Sequence, residues 1–320
     1  MEIVSEYLTK NKDFKKFIDG VSDNTGAKFM DIWKSHLRDN RKLFKESGWA
    51  SDVLQGKEKG KTAIICGSSP AIGNQIEILK EIGFDKDFVI CALSSNLVYL
   101  LNNGVKPKYC MVVDADESTG RDWDELDVGK TKDVVLISNT YAYPPMLKKW
   151  KGPLYFLDLQ TADKKFERKK RKWYGLSNGG AGGFPSIFAQ FNIMTALAYL
   201  MLECPVLIFV GNELSFKDND AKYYVGREDF RDKEDRFPQK DIYGNKVHTT
   251  VNLMAVKIAL EGFLELLSGA GWFFNCSEAG IFGITKKFKD LHVPWIEQLT
   301  LRGGISQARQ IMRTGQPFYE

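Results

Sequence analysis

Metal-binding and disulfide patterns are both missing from this sequence. It has no Cys-x-x-Cys pair, and its five cysteines, Cys66, Cys91, Cys110, Cys204 and Cys276, are an odd number set mostly in or beside apolar runs. That usage excludes a disulfide-stapled scaffold and a cysteine/histidine zinc module, and it leaves buried thiols in a reducing cytoplasm as the expectation. There is no H-E-x-x-H, no nucleophile elbow and no Ser/His/Asp spacing that stands out. Histidine is scarce: of three, His36 falls in the N-terminal helical region, His292 near the end, and only His248 near a presumed ligand edge. The first residues, MEIVSEYLTKNKDFKK, lack the apolar stretch of a secretory signal. Residues 191–211 approach the length of a membrane span, but Glu203 and Pro205 interrupt them, so they read as a buried helix followed by a central strand and no transmembrane segment is expected. A net charge of +4 is small for 320 residues, and no nucleic-acid partner is expected. The one dense basic cluster, KKFERKKRK at 164–172, reads as a solvated helix or loop, with a polyanion or membrane-surface contact as the alternative.

What the sequence does have is alternation. Apolar runs at TAIIC, DFVICAL, KYCMVVDAD, DVVLISN, PLYFLDL, PVLIFVG and GWFFNCS are separated by amphipathic stretches such as SNLVYLLNN. Continuous apolar strands between such helices are the signature of a parallel sheet covered on both faces, an α/β Rossmann-like three-layer αβα sandwich. The expected organisation is a helical lead-in over 1–60, the αβα domain over 61–285 and a helical tail over 286–320. Within the domain, residues 217–250 read as a lid and hairpin insertion: the charged part to residue 240 is too long for a routine connection, and DIYGNKVHTTV carries a hairpin turn signal. The tail segment VPWIEQLTL could dock on a neighbouring subunit in a homo-oligomer.

In an open parallel sheet ligands gather beyond the carboxyl ends of the strands. The residues there are Gly67, Ser68, Ser69 and Pro70; Ser94 and Ser95; Asp114 and Asp116; Asn139; and Asn212 with Glu213. The turn AIICGSSPAIGN presents unpaired amides at a helix start, where an anion is favoured. It is neither G-x-G-x-x-G nor a P-loop, and a plain strand-to-helix turn is the alternative. Asp114 and Asp116 face the same way on an extended chain and can share a divalent cation, or else cap a turn. Glu213 can accept a hydrogen bond from a ligand hydroxyl or cap the segment that follows. His248 can act as general base for a hydroxyl acceptor or sit as a solvated hairpin histidine. Asn178, Gly179 and Gly180 open a glycine-rich turn that suits a second phosphate or sugar contact, or serves geometry alone.

Taken in order, CGSSPAI, VICALSSNLVYLLNNGVKPKYCMVVDAD, NGG before a long helix, VLIFVGNELSF, DIYGNKVHTT and FFNCSEAGIFG resemble the MptE-like family over residues 35–285. That family holds archaeal 6-hydroxymethylpterin diphosphokinases and motility accessory factor proteins taken to glycosylate flagellin, and its core looks like bacterial sialyltransferases. Its first turn runs glycine, any residue, glycine, proline, serine, leucine. Here Ser69 replaces the second glycine and Ala71 the serine, while the acid after the later strand is Glu213 rather than aspartate. The family's aspartate after the third strand matches Asp114. The resemblance implies a nucleotide-dependent transferase. One form passes a CMP-activated nonulosonic, sialic-like sugar to a hydroxyl acceptor on a glycan or protein, with the nucleotide phosphate on the 67–70 turn and His248 as base. The other passes diphosphate from ATP to a pterin alcohol, with Asp114, Asp116 and Glu213 holding Mg²⁺. The departures at Ser69, Ala71 and Glu213 motivate a third reading, a nucleotide-binding or scaffold protein without catalysis.

Overall fold

The computed structural model describes residues 29–161, 163–175, 189–218, 225, 236–284 and 292–317. Its centre is an eight-stranded sheet built from β1 (Thr62–Cys66), β2 (Phe88–Leu93), β3 (Tyr109–Val112), β4 (Val135–Asn139), β5 (Leu154–Leu157), β6 (Val206–Val210), β9 (Trp272–Asn275) and β10 (Glu297–Gln298). The order is β10-β9-β6-β1-β2-β3-β4-β5, and every pairing is parallel. Alternation along each strand sorts side chains onto two faces. On β1, Ala63 and Ile65 join one apolar core while Ile64 and Cys66 join the other.

Helices cover both faces, as the apolar strands require. One face receives α1 (residues 29–39), α2 (Arg41–Ser47), α3 (Ala50–Leu54), α7 (Lys164–Tyr174), α8 (Gln190–Ala196) and α9 (Val251–Leu266), which bring Leu37, Leu54, Phe166, Phe191 and Leu260 to its core. α8 runs on through a π-helical turn at Leu197–Met201. The other face receives α4 (Ile76–Ile82), α5 (Ser94–Asn102), α6 (Pro144–Lys149) and α10 (Leu301–Thr314), with Leu79, Leu100, Met146 and Ile305. β7 (Phe237–Lys240) and β8 (Lys246–Thr249) form a separate antiparallel hairpin, with Gly244 in the left-handed region at its turn. No helix among the described residues is long and apolar enough to cross a membrane.

Three local readings change. The helix expected from Ala71 starts as a 3₁₀ turn over Pro70–Gln75 and becomes α-helical only at Ile76; Gly73 and Asn74 are poor helix formers, and the Ala71 amide is drawn to a distant carboxylate. Residues 292–317 do not form a separate appendage: β10 extends the sheet, and Leu301, Ile305, Ala308 and Ile311 of α10 lie in the core. The apolar stripe foreseen as a subunit contact thus begins with Val293 and Ile296, which are buried within this chain. The lead-in likewise contributes Leu37, Ala50 and Leu54 to the core.

The strand order reverses between β1 and β6. There the two backbones nearly touch: Gly67 N–H donates to the Val210 carbonyl at 2.7 Å and Ser69 N–H to the Gly211 carbonyl at 3.0 Å. Gly211 has φ +61°, which glycine accepts without strain. A crevice beyond the carboxyl ends of strands at such a reversal is where open α/β sheets place ligands.

Candidate functional site

The site is built around that reversal. The residue following β6 by two, Asn212, is 2% exposed and its backbone N–H donates to the Ser277 hydroxyl at 2.9 Å. Glu213 then swings toward β1, where its carboxylate accepts the Ala71 N–H at 2.8 Å. Burial raises this carboxyl above its ordinary value, and the Ala71 amide and the Ser69 hydroxyl oppose the rise. The amides of Gly67, Ser69, Ala71 and Ile72 all have partners within the protein. The amide cradle expected over Gly67–Pro70 is therefore filled from within the protein: the Val210 and Gly211 carbonyls take the Gly67 and Ser69 amides, and Glu213 takes the adjoining Ala71 amide, which a ligand phosphate reaches only by displacing that carboxylate.

Around this contact lie buried polar atoms without partners. Asn212 Nδ2 and Gln75 Oε1 are orphaned, in side chains no more than 3% exposed. Buried polar groups without partners are uncommon in folded proteins and ask for a reason. Gln75 also donates to the Cys276 carbonyl, which ties the 3₁₀ turn to the end of β9.

From β1 the polar belt continues along the sheet edge. The Ser68 and Ser95 hydroxyls share a hydrogen bond. Asn96, fully buried, donates to the carbonyls of Cys66 and Gly67 at 2.7 and 2.8 Å and accepts the Leu93 amide at 3.0 Å, locking the ends of β1 and β2 together. Ser94 donates to Asp122 at 3.1 Å, and Gln190 donates to Ser94 at 3.4 Å and to the Met111 carbonyl. Asn139 donates to the Val113 carbonyl at 2.7 Å and accepts the Tyr141 amide at 3.0 Å, so it joins the ends of β3 and β4 instead of facing a ligand freely.

Asp114 stands on this edge just past β3. Its side chain is exposed to solvent, with protein packed beneath and around it. That crowding, with the carboxylates of Asp122 and Asp116 nearby, pushes it up to about 6. A carboxyl raised in this direction is better matched to a general base's task than an ordinary one. Asp116 does different work: it caps the 3₁₀ turn Glu117–Trp123, accepting the Ser118 amide at 2.8 Å. Among the described residues no group of three or more His, Cys, Asp or Glu side chains gathers to hold a metal ion. Magnesium that keeps its waters and bridges substrate phosphates needs only one or two protein carboxylates; Asp122 and Asp116 are the carboxylates whose charge acts on Asp114.

His248 sits on β8, whose backbone pairs with Phe216 on the segment leaving Glu213: His248 N–H donates to the Phe216 carbonyl at 2.9 Å and Phe216 N–H returns at 2.6 Å. Its Nδ1 is buried without a partner. Val225, within the foreseen lid, donates its amide to the Ser68 carbonyl at 2.8 Å, and the residues on either side of it lie outside the described ones. Asn178, Gly179 and Gly180 lie outside the described residues. Reading the sequence missed Asp122, Asn96 and Gln190. Asn96 alone had a signal, an amide side chain three residues after a strand end, where a helix start invites a cap.

The family model described as 6-hydroxymethylpterin diphosphokinase MptE-like matches residues 35–219. Among solved structures, the MAf glycosyltransferase from Magnetospirillum magneticum AMB-1 is similar in fold, with a TM-score of 0.51 and 16% sequence identity over 84% of this chain. This chain spans 43% of that one. No curated protein sequence matches it.

Proposed function

Because the chain belongs to the MptE-like family, we propose that it is a transferase that moves a phosphate-activated group onto a hydroxyl acceptor, with a nucleotide-activated sugar as donor. Asp114 carries the reading. A solvent-reached carboxyl raised to about 6 at the carboxyl edge of a parallel sheet has the basicity and the place of a general base. It accepts the acceptor hydroxyl proton as that oxygen bonds to the sugar's anomeric carbon. The bond from that carbon to the donor phosphate oxygen breaks, and the nucleotide leaves with the electron pair. A CMP-activated nonulosonic sugar is the donor favoured by the resemblance. Asn212 and Gln75 offer orphaned polar atoms for its phosphate and hydroxyl groups. His248, with its unpartnered Nδ1, is the second proton-handling group.

The description attached to the family model supports a second reading, diphosphate transfer from ATP to a pterin alcohol. In that reaction Asp114 and Asp122 would hold magnesium, which neutralises charge on the transferred group. Thermal shifts with CMP, CDP and ATP, each with and without Mg²⁺, separate the two. Stabilisation by a cytidine nucleotide without metal supports sugar transfer; stabilisation by ATP only with Mg²⁺ refutes it in favour of the diphosphokinase. A folded protein indifferent to every nucleotide refutes both and leaves a non-catalytic scaffold.

A further inference from the structure

The KKFERKKRK run has no part in the site, and the structure makes it a helix of unusual polarity. α7 turns Phe166, Lys170 and Tyr174 inward. Lys170, fully buried, is held by Asp158 at 2.7 Å, Glu167 at 2.9 Å and the Leu159 carbonyl at 2.7 Å. The helix's one acid other than its cap, Glu167, is thereby turned toward the protein. At 3.6 residues per turn, Lys164, Lys165, Arg168, Lys169, Arg171 and Lys172 fall within an arc of about 160° on the opposite side. Five of these six are exposed and Arg171 is half-buried. α2 packs beside α7 and adds the exposed Arg41, Lys42 and Lys45.

We propose that the outer face of α7, extended by α2, is a docking surface for an anionic lipid headgroup layer, held by charge without insertion into the bilayer. A helix of about 16 Å with clustered Lys and Arg is the form that binds acidic headgroups. Insertion is ruled out by packing, since the helix's apolar side is committed to the core. Nucleic acid fits less well. The arc's Lys and Arg suit the phosphates of either partner, so the difference lies in the neighbouring ring. The aromatic beside it, Trp173, has Lys169 Nζ 4.3 Å from its ring centre and the Arg41 guanidinium 6.0 Å away, so no bare ring face is offered for base stacking.

The test is co-sedimentation of the full chain with vesicles of phosphatidylcholine alone or with about one-third phosphatidylserine at low salt. The protein is expected on the acidic vesicles only, and to leave them as salt rises. The variant carrying Lys164→Gln, Lys165→Gln, Arg168→Gln and Lys172→Gln should partition roughly 600-fold more weakly, about fivefold per charge, with an unchanged melting temperature. Lys164→Arg, Lys165→Arg and Lys172→Arg together should bind as the wild type does. Absence from acidic vesicles, equal binding by the Gln variant, or binding to an RNA or DNA duplex with vesicles ignored would each overturn the proposal.

Discussion

The near-contact of β1 and β6 makes a sharp prediction for Gly67→Ala. A Cβ on residue 67 would fall 2.8 Å from the Gly211 carbonyl carbon, closer still to its oxygen, and 3.2 Å from the Asn212 Cα. All three are backbone atoms and cannot rotate away. Relief requires the carboxyl ends of the two strands to part by about 1 Å to reach ordinary carbon contact distances. That displacement breaks the Gly67-to-Val210 and Ser69-to-Gly211 bonds, 2.7 and 3.0 Å long. Two backbone hydrogen bonds at about 1 kcal/mol each, plus about 1–3 kcal/mol for overpacking, give a loss of roughly 3–5 kcal/mol. A domain of this size holds only about 5–15 kcal/mol, and at about 2.1 cal/mol/K of unfolding entropy per residue the melting temperature should fall by roughly 5–8 °C. Thermal and urea unfolding of Gly67→Ala and Gly269→Ala provide the assay, because nothing lies within 4 Å of a Cβ at position 269. The control should stay within about 0.5 kcal/mol of the wild type. A Gly67→Ala protein that melts with the wild type would refute the claim that backbone atoms fill the reversal point.

Asp114→Asn should lower turnover by about 10²–10⁴-fold, and wild-type kcat/KM should fall as pH drops through about 6. The same change should raise the melting temperature near pH 8: a carboxyl whose folded value lies above its ordinary 3.8 favours the fold while protonated, and that help is lost as pH rises through about 6. Retained activity, or a lower melting temperature at pH 8, would remove Asp114 from the chemistry. Glu213→Gln keeps an acceptor for Ala71 but no charge. Since burial raises Glu213 above 4.5, the variant should gain on the wild type as pH climbs beyond that value, seen in melting curves across pH. Asn96→Ala strands the Cys66 and Gly67 carbonyls; at about 1–3 kcal/mol for each buried unmet group, it should lose at least roughly 2 kcal/mol in urea unfolding, and no loss would show that water replaces the amide.

All seven strands read from apolar runs are present, because a strand buried on both faces must be apolar throughout, as VLIFV and FVICAL are. β10 escaped notice since it has two residues, Glu297 and Gln298, and exists only by pairing with β9. α10 looked detached because its apolar residues are few; Gly304, whose Cα lies close to Cys276 Sγ, lets the helix approach the sheet, a fact with no local signature. Asp114 was legible from its place after a strand. The Glu213–Ala71 bond spans 142 positions, and Asp122 is hidden in the acidic stretch RDWDELD. Contacts of that range are set by topology, which no window of sequence contains.

The parallel ladder is laid down in an order that matters during synthesis. β1 through β5 are sequential neighbours and can assemble as the first half of the chain leaves the ribosome, with β1 as a raw border whose amides await a mate. That mate is β6, and β9 and β10 follow it outward. A nascent or prematurely stopped chain ending before Val206 thus carries an open, apolar edge of the sort that recruits other chains. The seam that finally covers it is the same one that gathers Ala71, Asn212 and Glu213, so that cluster cannot exist in an unfinished product.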